Sequence, residues 1–132
     1  KIVPTDLISP HELPDQNFPF VLTTGRLLEH WHTGAMTRRS NTLDNIEPEA
    51  IVNMNRLDMK NLKLEPGNKV QVKTRRGSIE LSVRQDTELP KGMIFIPFCF
   101  SEAAANKLTN PQLDPFGKIP EFKYCAANIE AC

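Results

Sequence analysis

EPGNKVQVKTRRGSIELSV, Glu65 to Val83, is the stretch from which the fold class is read. Pro66 and Gly67 occupy the centre of Glu65-Pro66-Gly67-Asn68, where a type II turn needs one restricted φ followed by one positive φ. Beyond it Val70 and Val72 alternate with Gln71 and Lys73, and Ile79, Leu81 and Val83 alternate with Glu80 and Ser82. That period of two belongs to half-buried antiparallel strands. Arg75-Arg76-Gly77-Ser78 reverses the chain between the two arms, so the stretch is predicted to be a β-hairpin.

Working outward, Phe20 to Thr24 forms a β-rich run ended by Gly25, which reads as a strand delivering its end to a functional loop that continues to about Asn45. Ala50 to Met54 forms another strand. Asn55 then stands as an N-cap with Asp58 in the first turn, predicting a short helix through Leu62. A turn at Pro90 to Gly92 leads into Met93 to Phe98, whose unbroken apolarity predicts a strand buried on both faces, with Pro97 at its end or at a bulge. Eleven prolines, above the usual ~5%, argue against a helical bundle. Five or six short strands with one or two short helices and long loops make the chain mainly β, and closure into a barrel would remove the exposed edges.

Residues 1–17 lack periodicity and carry Pro4, Pro10 and Pro14 as breakers, so they read as a linker from an upstream domain, with the fold proper occupying 18–132. The first residue is Lys1 and the segment behind it is polar, which suggests a piece of a longer protein. The 132 residues fit one domain.

Sixteen basic and sixteen acidic side chains cancel, which removes the charge argument for a nucleic-acid partner. The longest apolar run, Met93 to Phe100, is too short and too broken by Pro97 to span a membrane. Cys99, Cys125 and Cys132 are odd in number and widely spaced, unlike a disulfide framework or the CxxC pairs of zinc and iron-sulfur sites; reduced thiols in a cytoplasmic protein fit them. Cys99, inside an apolar strand, reads as a buried inert thiol.

The most unusual composition lies in GRLLEHWHTGAMTRRS, Gly25 to Ser40. Gly25 and Gly34 allow tight turns that present backbone N–H groups to phosphate oxygens. Arg26, Arg38 and Arg39 can pair phosphates in bidentate fashion. A flat heterocycle could lie against Trp31, although a lone tryptophan is more often a core residue than a stacking platform. His30 and His32 lack a third ligand and do not make a metal site. Arg38-Arg39 and Arg75-Arg76 also fit ordinary solvated charges.

The ordered set TTGR (Thr23 to Arg26), HWHTG (His30 to Gly34), MTRRS (Met36 to Ser40), NRLD (Asn55 to Asp58), IPFCF (Ile96 to Phe100), ANKLTN (Ala105 to Asn110) and LDPFGKIPEFK (Leu113 to Lys123) resembles the C-terminal molybdopterin-dinucleotide-binding domain of the formate dehydrogenase and nitrate reductase group. The resemblance covers roughly residues 18–130 and implies a six-stranded double-psi β-barrel. It implies cofactor contacts at Thr24, Gly25, Arg26, His30, Trp31, His32, Thr33, Gly34, Asn106 and Lys123, with Asn106 reading a heterocycle edge and Lys123 offering a point charge. The cofactor would be molybdopterin guanine dinucleotide, its molybdenum or tungsten held by the full enzyme.

In the family the metal's protein ligand and the iron-sulfur cysteines lie upstream, so this chain is expected to carry no catalytic residue and no cluster, and to be inactive alone. Its partners would be the upstream domains and an electron-transfer subunit. The full subunit would oxidise formate to carbon dioxide; the alternatives are a nitrate reductase-like oxidoreductase of the same group or a nonenzymatic nucleotide- or protein-binding barrel. Cys99 departs from the family's PFHF pattern, where a histidine stands, and is left out of the site.

Overall fold

The computed structural model describes residues 2–132. Six strands close into one barrel: β1 (Phe20–Gly25), β2 (Ile51–Met54), β3 (Lys69–Lys73), β4 (Ser78–Gln85), β5 (Met93–Pro97) and β6 (Cys125–Ala131). Around the barrel they run β1-β5-β2-β4-β3-β6. β1 pairs parallel with β5 and β2 parallel with β4, while every other pairing is antiparallel. A parallel neighbour cannot be reached through a tight turn, so the chain crosses the barrel end to make each such pair. The result is the mainly β, six-stranded double-psi barrel with short helices and long loops.

The hairpin forms as read. Gly67 has φ +88°, and the Asn68 N–H closes the turn onto the Glu65 carbonyl at 3.1 Å. Val70 stands opposite Leu81 and Val72 opposite Ile79, all pointing inward. Leu22, Val52, Met54, Ile94, Ile96 and Leu108 join them in the core with no exposed surface. Burying a side chain of this kind contributes about 1.5–3 kcal/mol, which makes the barrel interior the main source of stability. Asn55 caps helix α2 (Arg56–Asn61), its side chain accepting the Leu57 N–H at 2.8 Å.

Three expectations need correction. Met93 to Phe98 is not buried on both faces: Ile94 and Ile96 are buried, whereas Met93 and Phe95 are only half-buried. A closed barrel has one interior, and no helical layer covers β5 from outside. The loop after β1 does not run unstructured to Asn45, because a 3-10 turn (Thr37–Arg39) and helix α1 (Asn41–Ile46) end it. Ser82, read as facing water, is buried and donates to the Glu49 carboxylate at 2.9 Å. Strand β6 is not apparent in the sequence because CAANIEA is alanine-rich and a weak strand former; pairing with β1 and β3 imposes the strand.

Residues 2–19 carry no helix or strand, yet from His11 onward they are fastened to the barrel. Glu12 is buried between Arg75 and Arg76, and Asp15 accepts the Asn17 and Phe18 N–H groups. Among the described residues no helix is long and apolar enough to cross a membrane.

Candidate functional site

β1 and β5 end side by side, with Gly25 opposite Pro97 and the Phe98 N–H donating to the Gly25 carbonyl at 3.1 Å. Glycine lets this strand end lie close to Phe95, because a Cβ there would fall 2.5 Å from the half-buried ring and the ring would have to swing aside. Thr24 is buried and its hydroxyl donates to the Phe122 carbonyl at 2.8 Å. In return the Lys123 ammonium donates to the Thr24 carbonyl at 2.6 Å. These two bonds draw the distant Phe122-Lys123 segment to the end of β1.

The loop leaving β1 turns back over that end. His32 takes the left-handed conformation (φ 52°) and Gly34 comes after it at φ 74°, its N–H donating to the Trp31 carbonyl at 2.9 Å. A Cβ on Gly34 would lie 2.7 Å from the Cys99 carbonyl oxygen, so the close approach of loop and barrel also demands glycine. His32 then leans on Phe98, ring centres 5.3 Å apart.

Between these segments opens a cleft of about 520 Å³ lined by Thr24, Arg26, His32, Thr33, Asn106 and Lys123, with Phe98 and Phe122 completing the wall. The six polar residues come from three separate stretches of sequence, and all six are among the expected contacts. Gly25 lies just behind them. Phe98 and Phe122 are not among those expectations; their only signal is that one stands after the proline ending β5 and the other precedes Lys123.

The other three expected contacts lie elsewhere. His30 is 1% exposed. Its Nε2 donates to the Glu47 carbonyl at 2.9 Å, its Nδ1 lies 3.3 Å from the Thr37 hydroxyl, and its ring stands edge-on to Phe100. Both nitrogens are therefore taken up inside the fold. Gly34 is buried against Cys99. Trp31 is 65% exposed and projects outside the cleft wall.

Among the described residues no carboxylate lines the cleft, although acidic and basic side chains are equal in number across the sequence. Arg26 and Lys123 give it a positive character, and Asn106, Thr33 and His32 add further hydrogen-bonding groups. Arg38 is already committed: it pairs with Asp44 at 2.9 Å and Glu102 at 2.6 Å and lies 4.8 Å over the Phe100 ring. Burial works to raise the Glu102 carboxyl, but the Arg38 hydrogen bonds, its own backbone N–H, the Arg38 charge and the Ser101 hydroxyl together outweigh it and hold it below its ordinary value. Burial pushes the Cys99 thiol up to about 11, so it is a neutral thiol and no nucleophile at neutral pH. Among the described residues no His, Cys, Asp and Glu side chains cluster to hold a metal.

The donor set fits an anionic, hydrogen-bond-rich ligand with flat rings: two cations, an amide and an imidazole between two phenyl walls, with nothing acidic to repel it. The chain is 47% identical over 130 residues to F420-dependent formate dehydrogenase subunit alpha of Methanocaldococcus jannaschii, covering 98% of this chain and 19% of that relative. It is 42% identical over 125 residues to F420-dependent formate dehydrogenase 1 subunit alpha of Methanococcus maripaludis, covering 95% and 18%. The chain thus spans under a fifth of the length of these curated relatives. Acetylene hydratase from Pelobacter acetylenicus shares the fold, with a TM-score of 0.77 at 20% identity over 87% of this chain and 18% of that one. Residues 20–126 match the family described as Molydopterin dinucleotide binding domain, and the chain belongs to that family.

Proposed function

We propose that the cleft at the β1–β5 end binds molybdopterin guanine dinucleotide, and that the chain serves as the cofactor-binding domain of a formate dehydrogenase alpha subunit. The observation that carries this reading is the acid-free cleft in which Arg26, His32, Thr33, Asn106 and Lys123 converge from three segments. Arg26 and Lys123 would hold phosphate oxygens, Asn106 would read a heterocycle edge, and Phe98 and Phe122 would exclude water from the flat faces. When bound, the cofactor supplies the metal, molybdenum or tungsten, through which electrons leave formate. The residues here bind and orient it and take no part in the bond-breaking step. In the longer protein, residues 1–17 would lead in from upstream domains carrying the metal ligand and the clusters, with an electron-transfer subunit beyond.

Guanosine diphosphate offers a purine edge and a diphosphate and serves as a probe. Calorimetric titration into the 132-residue chain should show saturable binding that Arg26→Ala and Lys123→Ala each weaken about tenfold, the loss of one charge-assisted hydrogen bond. Binding left intact by both substitutions would place the ligand elsewhere.

A further inference from the structure

We propose that Arg76, held by Glu12 of the N-terminal segment, is a positioning residue that sets Asn106 at the cleft. This inference rests on the cleft being the ligand site. Arg76 lies on the β3–β4 turn, away from the cleft lining, and its side chain is only 23% exposed. Two of its donors, Nε and Nη2, converge on one acceptor, the Leu108 carbonyl, at 3.0 and 2.9 Å. Its third, Nη1, donates to Glu12 at 2.6 Å.

Leu108 ends the 3-10 turn Ala105–Lys107 that carries Asn106. Its N–H donates to the Ala105 carbonyl at 2.9 Å and its side chain has no exposed surface. The β3–β4 turn packs directly against the same element, since a Cβ on Gly77 would lie 3.3 Å from the Lys107 carbonyl. The guanidinium therefore fixes one end of a three-residue turn whose middle residue faces the cleft.

Glu12 is what holds the guanidinium in that pose. Its carboxylate is 9% exposed and takes Arg75 on one oxygen and Arg76 on the other. A buried carboxylate between two guanidiniums is compensated only while both remain in place, which makes the arrangement stiff. The neighbouring His11 N–H donates to the Glu121 carboxylate at 3.1 Å, and Asn110 Nδ2 donates to the same group at 2.9 Å. Glu121 lies two residues before Lys123. The strap from His11 to Phe18 thus ties together the two segments that bring Asn106 and Lys123 to the cleft, a role that a mere lead-in would not have.

The test compares Arg76→Gln, Arg76→Lys and Arg75→Gln in the 132-residue chain by amide hydrogen exchange and by titration with guanosine diphosphate and with inorganic pyrophosphate. Arg76→Gln should speed exchange at Lys107, Leu108 and Asn110 about tenfold while β2 and β5 amides stay within about twofold. It should weaken guanosine diphosphate about tenfold yet leave pyrophosphate within about twofold, because only the heterocycle contact depends on Asn106. Arg76→Lys keeps the charge beside Glu12 but not the forked donors, so it should behave like Arg76→Gln, and it carries the comparison should the glutamine variant not fold. Arg75→Gln leaves the Arg76–Glu12 pair and both bonds to the Leu108 carbonyl in place, so it should loosen His11 to Phe18 most and raise exchange at Lys107, Leu108 and Asn110 less than Arg76→Gln does. A uniform rise in exchange, equal loss of both ligands, or wild-type behaviour of Arg76→Lys would overturn the proposal. If the unsubstituted chain binds neither probe, the ligand site fails, while the exchange pattern still decides whether Arg76 positions Asn106.

Discussion

Gly25 and Met54 end the two strands that each enter a parallel pair, and the backbone beyond them is arranged alike. The Phe98 N–H donates to the Gly25 carbonyl at 3.1 Å, and the Asp86 N–H donates to the Met54 carbonyl at 2.8 Å. The segments leaving the two ends differ. After Met54 the chain enters the capped helix α2, whose Asp58 accepts the Gly92 N–H at 2.6 Å and whose Met59 packs into the core. After Gly25 it enters a glycine-punctuated loop that turns back against the barrel at Gly34 and borders the open cleft through Arg26, His32 and Thr33. The barrel topology supplies two related ends; apolar side chains and a helix cap seal one, while glycines and cations keep the other available.

Four measurements would break or sharpen that contrast. At the sealed end, Met54→Ala removes a fully buried side chain and should cost about 3 kcal/mol in urea unfolding. It should leave guanosine diphosphate affinity within about twofold under conditions where the variant is folded. A parallel loss of affinity would mean that the two ends are not independent. At the open end, Arg26→Ala combined with Lys123→Ala should do the reverse, weakening the ligand by about 2.8 kcal/mol, roughly a hundredfold, with a smaller change in stability. If unfolding shifts as far as for Met54→Ala, the open end is structural and the contrast disappears.

Smaller effects separate the ends further. Asn55→Ala loses the cap to Leu57 and the bond from Nδ2 to the Leu89 carbonyl at 2.7 Å, and should lower stability by about 1 kcal/mol without touching ligand binding. An unchanged urea midpoint would show that the cap does not secure the seal. The Cys99 thiol acts only in alkali, and so has no bearing on the ends at neutral pH. Its folded value of about 11 lies above the ordinary 9.0, so the folded state keeps a proton that the unfolded chain releases. Its contribution is complete below the ordinary value and is lost as pH rises through the folded one. The urea midpoint should therefore fall across that window, and fall less in Cys99→Ala; identical slopes would exclude the thiol as the source.

The barrel was legible where local pattern and tertiary demand agree. Val70, Val72, Ile79 and Leu81 alternate because one face of each strand meets the core, and Pro66-Gly67 can adopt the turn with little strain. Strand β6 was not legible, since its alanines become a strand only by lying between β1 and β3. The cleft divides the same way. Arg26, His32 and Thr33 come after a glycine-ended strand and are visible as a loop of unusual composition. Asn106 and Lys123 came only through the family resemblance, because nothing local says that residues 106 and 123 meet the end of β1. His30 shows the opposite limit: its burial depends on Phe100 and on the Glu47 carbonyl, partners 70 and 17 positions away, which neighbouring letters do not reveal.

The left-handed turn at His32 bears on how fast a ligand would be captured. A non-glycine residue in that conformation is strained by about 1–2 kcal/mol, and here the ring of the exposed His32 rests on Phe98. A ligand entering the proposed site would meet a wall whose turn forms on folding, so its association would be governed by encounter and orientation and not by a slow rearrangement of the wall.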